Sequence, residues 1–345
     1  MKVRLARAVA FALVLAGIAS YGLASRAAIP SGWQVPGVVC WLEAAGPNAF
    51  FFASAPNSED YILYRCSPTR APVGIHRSDD SMRTLAVSPD GRQLLVTVHT
   101  KDPVTGRYRR ETRWYEAAGS RLRLRGQYPN KFVLTGLWSW RSAWDAAGKH
   151  WLAQTYEDHL RYEIEGGPRP VRLVRVAKPR ELDPVWIAGS GDAAYGLLRN
   201  GTVLRITAGG TRVVARSPAL VDLGDLGERA CFAAQGEVLF ALTSASLIRV
   251  NVARHSVECK PAPFVRPAGS GDGMRIVDSN RVVVAVIREE PEQSRLHLVD
   301  HRKPGARLVA ALNTPAFRFA ASRDRLWVTR YDSRTGTGWV SSYPL

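Results

Sequence analysis

From Leu85 to Val96 the chain reads LAVSPDGRQLLV, an apolar run, a turn and a second apolar run. Pro89 fixes φ at the second position of the turn, Asp90 tolerates the third, and Gly91 takes the left-handed conformation that closes a hairpin. Apolar residues on both sides of such a turn predict two antiparallel strands. The same rhythm recurs in WLEAAGPNAFFFASA from Trp41, SAWDAAGKHWLAQTY from Ser142, WIAGSGDAAYGLLR from Trp186, CFAAQGEVLFALTS from Cys231, IVDSNRVVVAVIRE from Ile276 and FRFAASRDRLWVTRY from Phe317. The seven turns centre on Gly46, Gly91, Gly148, Gly191, Gly236, Asn280 and Asp324, which places them 45, 57, 43, 45, 44 and 44 residues apart.

Each unit has room for two more strands. The fourth reads VWIAGS, AAYGLLR, TVLRITA and TRVVARS. Four short strands repeated about every 40–50 residues predict an all-β fold, a seven-bladed β-propeller of four-stranded antiparallel blades. In the last unit only GWVSSYP follows the hairpin, so the missing outer strand is expected from GWQVPG at residues 32–37. Pro36 suits an outer edge, and closure by the N-terminus removes open sheet edges. Residues 26–345 are then one domain.

The stretch Leu-Ala-Val-Ser-Pro-Asp-Gly-Arg-Gln-Leu-Leu-Val resembles the repeat box of WD-like propellers, such as the Tol-system propeller and those of prolyl oligopeptidase relatives. The second unit matches that box in its letters and the other six in their rhythm. The resemblance implies the fold and assigns no catalytic residue. The chain has no Gly-x-Ser-x-Gly serine elbow.

Connection lengths separate two faces. Turns between first and second strands, and between third and fourth, are short. The connections between units are longer, at 128–141, 176–184, 217–228 and 260–273, and residues 99–111 form a long loop between second and third strands. Both long classes emerge on one face, where binding residues are expected. There the text LWSWRSAW brings together Trp138, Trp140, Arg141 and Trp144, with Tyr128 and Phe132 nearby. Exposed, they make an aromatic and cationic platform for a partner; strand alternation would instead bury one or two of them between units. The same face carries Glu59, Asp60, His99, Asp102, Glu157, Asp158, His159, Glu289, Glu290 and Asp332. Converging carboxylates and a histidine would hold a divalent cation or act as acid and base, although hairpin loops are commonly polar without such a role. The pentapeptide AGSGD at 188–192 and 268–272 opens no helix and reads as turn vocabulary.

Three features bound the setting. Residues 1–25 join Lys2, Arg4 and Arg7 to an apolar run ending in small residues, the layout of an export signal, either cleaved or retained as an anchor. The net charge is +17, and losing those three cations leaves +14. That charge makes acidic glycan a candidate ligand, although the basic residues are scattered without a dense run, as a general preference for arginine would leave them, and export makes nucleic acid an unexpected partner. Four cysteines in an exported chain suggest two disulfides. Strands two places apart are too distant to be bridged unless one residue lies past a strand end, so Cys40–Cys66 is the admissible pair. Small buried thiols are the alternative for all four.

These features point to a periplasmic or secreted binding or scaffold module that takes an envelope protein or peptide through its long-loop face and needs no cofactor. The alternatives are a propeller hydrolase or lyase using residues among Asp102, Glu157, Asp158, His159, Glu289 and Asp332, and an acidic-polysaccharide binder.

Overall fold

The computed structural model of the chain describes residues 32–54, 60–119, 121–129, 143–144, 150–154, 159–164, 171–177, 186–190, 193–207, 210–221, 231–243, 246–261, 273–288, 293–312, 317–332 and 334–345, in the third sheet by backbone alone. The described strands form seven four-stranded antiparallel sheets, six of them simple meanders in chain order. A single 3-10 turn, Pro218–Leu220, is the one helical element among the described residues. No described helix is long and apolar enough to cross a membrane.

The first sheet runs Val38–Ala45, Asn48–Ser54, Tyr61–Ser67, Arg70–Ser78, and the second Ser81–Val87, Gln93–Lys101, Tyr108–Ala118, Arg121–Pro129. The seventh has Phe317–Ala321, Arg325–Asp332 and Thr337–Pro344, and its outer strand is the N-terminal Trp33–Pro36. Trp33 pairs with Val340 and Pro36 with Thr337, as GWQVPG led one to expect.

Position within a sheet sets strand composition. Second strands are covered on both faces and read as unbroken apolar runs: Ala49 to Ala53, Val238 to Leu242 and Val282 to Val286 are buried throughout. Fourth strands lie at the rim. Arg70–Ser78 and Ser256–Pro261 are largely exposed and polar, which protects an open edge against pairing with other chains.

The core lies between sheets. Phe50, Phe52, Leu94 and Val96 join the first sheet to the second. Tyr195, Leu239 and Ile248 join the fourth to the fifth, Phe240 and Val284 the fifth to the sixth, and Val283, Phe319 and Leu326 the sixth to the seventh. Trp327, Phe51, Leu42 and Val35 join the seventh to the first. Burying one such side chain contributes roughly 1.5–3 kcal/mol relative to exposure. Phe51 also stacks on Tyr64 with ring centroids 5.0 Å apart.

The Ser88–Gly91 turn takes the conformation read from its letters. Gly91 N–H donates to Ser88 O at 2.8 Å, and Gly91 has φ 70°. The Ser88 hydroxyl donates to Asp90 at 2.6 Å and accepts the Gln93 N–H at 2.9 Å. A Cβ on Gly91 would stand 3.3 Å from the Phe50 ring of the first sheet, so the turn also packs against its neighbour.

Two expectations are corrected. Residues 99–111 are mostly strand: Lys101 pairs with Tyr108 and His99 with Arg110, leaving a tight tip at Asp102–Arg107. The thiols of Cys40 and Cys66 are free, so the Cys40–Cys66 disulfide is not formed. Cys66 pairs with Ala49 and Ala49 with Ala44, so Cys40 stands four residues farther along and two strands away. That separation is roughly 13 Å along the strand and 9.5 Å across it, beyond a disulfide's reach. Burial pushes the Cys66 pKa up to about 12, leaving an inert thiol. Cys231 and Cys259 lie on the first and fourth strands of the fifth sheet, as assigned from the sequence.

Candidate functional site

In a four-stranded meander the first and third turns emerge at one end, and the middle turn and the inter-sheet links at the other. On the long-loop side, Asp102 sits at the tip of the extended hairpin. Its carboxylate accepts the N–H groups of Val104 and Thr105 at 3.0 and 2.9 Å and pairs with Arg109 at 2.6 Å. The two backbone donors hold its pKa below the usual carboxylate range. Asp332 accepts the Arg334 N–H at 2.9 Å, and that bond likewise lowers its pKa. Both carboxylates are therefore engaged by the backbone of their own loops.

His159 opens the third strand of the third sheet, where the register shifts between His159 and Leu160. Trp144 lies in the short first strand of that sheet, its backbone paired with Trp151. Trp138, Trp140, Arg141, Glu157, Asp158 and Glu289 lie outside the described residues. No group of three or more metal-ligating side chains occurs among the described residues.

The long-loop edge of the first two sheets carries a network that sequence reasoning missed. Arg113 donates to Asp80 at 2.5 Å and to Glu111 at 2.5 Å, with its side chain only 13% exposed. Burial opposes its charge, but the hydrogen bonds from Asp80 and Glu111 hold its pKa above the ordinary value. Asp80 belongs to the link between the sheets, so this guanidinium fastens one to the other. Beside it the Tyr115 hydroxyl meets His76 Nε2 at 3.3 Å. Burial, followed by the charge of Arg113, lowers the His76 pKa and keeps the ring neutral near pH 7. Nothing in the letters ETRWYE marks this arginine; its place opposite buried Val96 appears only with the strand register.

The short-turn face is also built. A cavity of about 1630 Å³ opens there, lined by first turns of the first, second, fifth, sixth and seventh sheets and by the third turn of the sixth. Cations tie these turns together. Arg249 Nε donates to Ser279 O at 2.8 Å and Arg281 to Arg323 O at 3.1 Å. Lys260 Nζ reaches the carbonyls of Asp300, at 2.6 Å, and Lys303. In the first sheet Arg65 makes an equivalent reach to Gly119 O of the second, at 3.2 Å. Arg65 and Arg249 occupy matching third-strand positions, opposite Phe50 and Phe240. Part of the basic excess thus serves to cap carbonyls of the adjoining sheet.

Two carboxylates in the cavity are already engaged. Burial raises the Asp278 pKa, but the N–H of Asn280 and the guanidinium of Arg281 outweigh it and leave the pKa lowered. Arg302 engages both Asp300 oxygens, at 3.2 and 3.1 Å, and lowers its pKa. Arg307 and Arg323 line the same space without an ion pair among the described residues.

No known sequence family matches the chain, and no curated protein matches it in sequence. Solved structures do match its fold. An uncharacterised protein from Listeria monocytogenes superposes with a TM-score of 0.55 at 11% identity, over 91% of this chain and 94% of that one. Prolyl oligopeptidase B from Galerina marginata, bound to a 35mer hydrolysis and macrocyclization substrate, superposes with a TM-score of 0.55 at 13% identity, over 92% of this chain and 49% of that one. The chain spans about half the length of the oligopeptidase chains it matches. The oligopeptidase neighbours match through their β-propeller domains, and at this identity the likeness shows the fold alone.

Proposed function

We propose that the protein is an exported β-propeller, periplasmic or secreted, acting as a binding or scaffold module of the cell envelope through its long-loop face. The seven sheets are the blades of one ring, residues 26–345, closed where Trp33–Pro36 pairs with the last strand. Support comes from that pairing, from the shared core of the seventh and first sheets, and from the short strand at Ala143–Trp144 lying beside the first strands of both neighbouring sheets. Residues 1–25 direct export.

What weighs for a binding role over acid–base chemistry is that Asp102 and Asp332, two of the candidate carboxylates, are tied by hydrogen bonds into the backbones of their own loops, which lowers their pKa values. A general acid or base near pH 7 needs its pKa moved toward 7, and these move away. The partner class is an envelope protein or peptide, received on an aromatic platform of Trp138, Trp140, Arg141 and Trp144.

The test is affinity capture from envelope extract with the purified protein, followed by identification of what is retained. One envelope protein is expected to be captured by wild type and lost in the variant Trp138→Ala with Trp140→Ala, with the circular dichroism unchanged. Equal capture by the variant would remove the platform from the account.

A further inference from the structure

We infer that the cavity on the short-turn face is a second binding site, and that its ligand is an acidic peptide segment carrying apolar side chains. This inference does not rest on the long-loop reading. Its size is the first argument: about 1630 Å³ exceeds the roughly 300–1,000 Å³ of small-molecule sites and suits a stretch of chain.

Charge is the second argument. Arg281, Arg302, Lys303, Arg307 and Arg323 line the space against Glu43, Asp278, Asp300 and the carboxylate of Leu345. Asp278 and Asp300 are engaged by Arg281 and Arg302, and Glu43 accepts the Trp41 indole N–H at 3.0 Å. Lys303 stands beside an Asp300 that Arg302 already holds. Cations outnumber carboxylates in the space, and neither Arg307 nor Arg323 has an ion pair among the described residues, so a ligand bearing carboxylates supplies the complement.

The lining decides between kinds of polyanion. Among the cations lie Ala45, Val87, Ile276, Val277, Leu298 and Ala306, and no described lining residue carries an aromatic ring. Sugars are held largely by stacking on aromatic faces, whereas leucine-like side chains are held by aliphatic walls. The ties from Arg249 to Ser279 and from Arg281 to Arg323 hold the rim in place before a ligand arrives, which reduces the ordering cost of binding.

Fluorescence anisotropy with a labelled hexapeptide of alternating glutamate and leucine tests this. The full chain is expected to bind it at low salt and more weakly as salt rises. Arg307→Glu with Arg323→Glu should weaken binding by about tenfold or more. Both side chains are exposed and have no ion pair among the described residues, so the variant should melt with wild type. Trp138→Ala with Trp140→Ala should leave peptide binding unchanged, so failure here and failure of the long-loop reading are distinguishable. The inference is overturned by absence of binding, by equal binding in the charge variant, by loss in the tryptophan variant alone, or by oligogalacturonate outcompeting the peptide.

Discussion

Replacing Trp327 with alanine is expected to cost about 3–5 kcal/mol of stability, read as a lowered denaturant midpoint with an unchanged slope. Trp327 is fully buried and packs with Ala320 and Val340 of the seventh sheet, Val35 of the N-terminal strand, and Leu42 and Phe51 of the first sheet. Its removal leaves a void where the two ends of the chain meet, bounded by paired strands that cannot collapse into it. Trp327→Phe should cost much less than alanine. The indole N–H has no hydrogen-bond partner among the described residues, so a phenyl ring gives up volume and no polar contact. Equal loss in the two variants would place the stabilisation elsewhere.

The second large effect is expected at Arg113. Arg113→Ala removes the cation that Asp80 and Glu111 share and leaves both carboxylates partly buried without it. Breaking such a group from one side costs about 3–5 kcal/mol. The triple variant Arg113→Met, Asp80→Asn, Glu111→Gln should recover most of that, because it removes the stranded charges along with the guanidinium. Urea unfolding of the two variants checks the pair; a triple variant no more stable than the single would mean that Arg113 acts through packing of its aliphatic stem.

How far the sequence discloses this molecule follows from the range of its signals. Hairpins are local: Pro89, Asp90 and Gly91 determine their own turn, and runs such as Phe50–Phe52 and Val282–Val286 announce strands covered on both faces. The count of units and the source of the last outer strand followed from spacing, because a missing strand at the C-terminal end had one unassigned apolar stretch to supply it. The hairpin at 99–111 was misread as a loop because its strands pair through polar residues, Thr100 with Arg109 and His99 with Arg110, so alternation of apolar residues was absent. The site on the short-turn face was invisible for a different reason. Its walls come from residues 43–46, 276–281, 302–307 and 321–323, segments far apart in the chain that only the fold brings together. Short turns also look featureless in isolation, and loop length pointed to the opposite face. Arg113 was hidden by composition, since a buried arginine in a chain with so many basic residues carries no mark until its register beside Val96 is known.

Both binding readings rest on a closed disc with two faces, and closure comes down to the pairing of Trp33–Pro36 with Thr337–Pro344. Gln34 lies directly opposite Trp339. Directly opposed residues of an antiparallel pair have Cα atoms about 4.5–5.5 Å apart, within the range a disulfide spans. The most direct test is the variant Gln34→Cys with Trp339→Cys, oxidised in the folded state, digested and mapped by mass spectrometry. The account predicts a disulfide joining these two positions within a single chain, with a raised melting temperature. Two free thiols at those positions in the folded protein, or a link formed only between separate chains, would contradict closure of the ring.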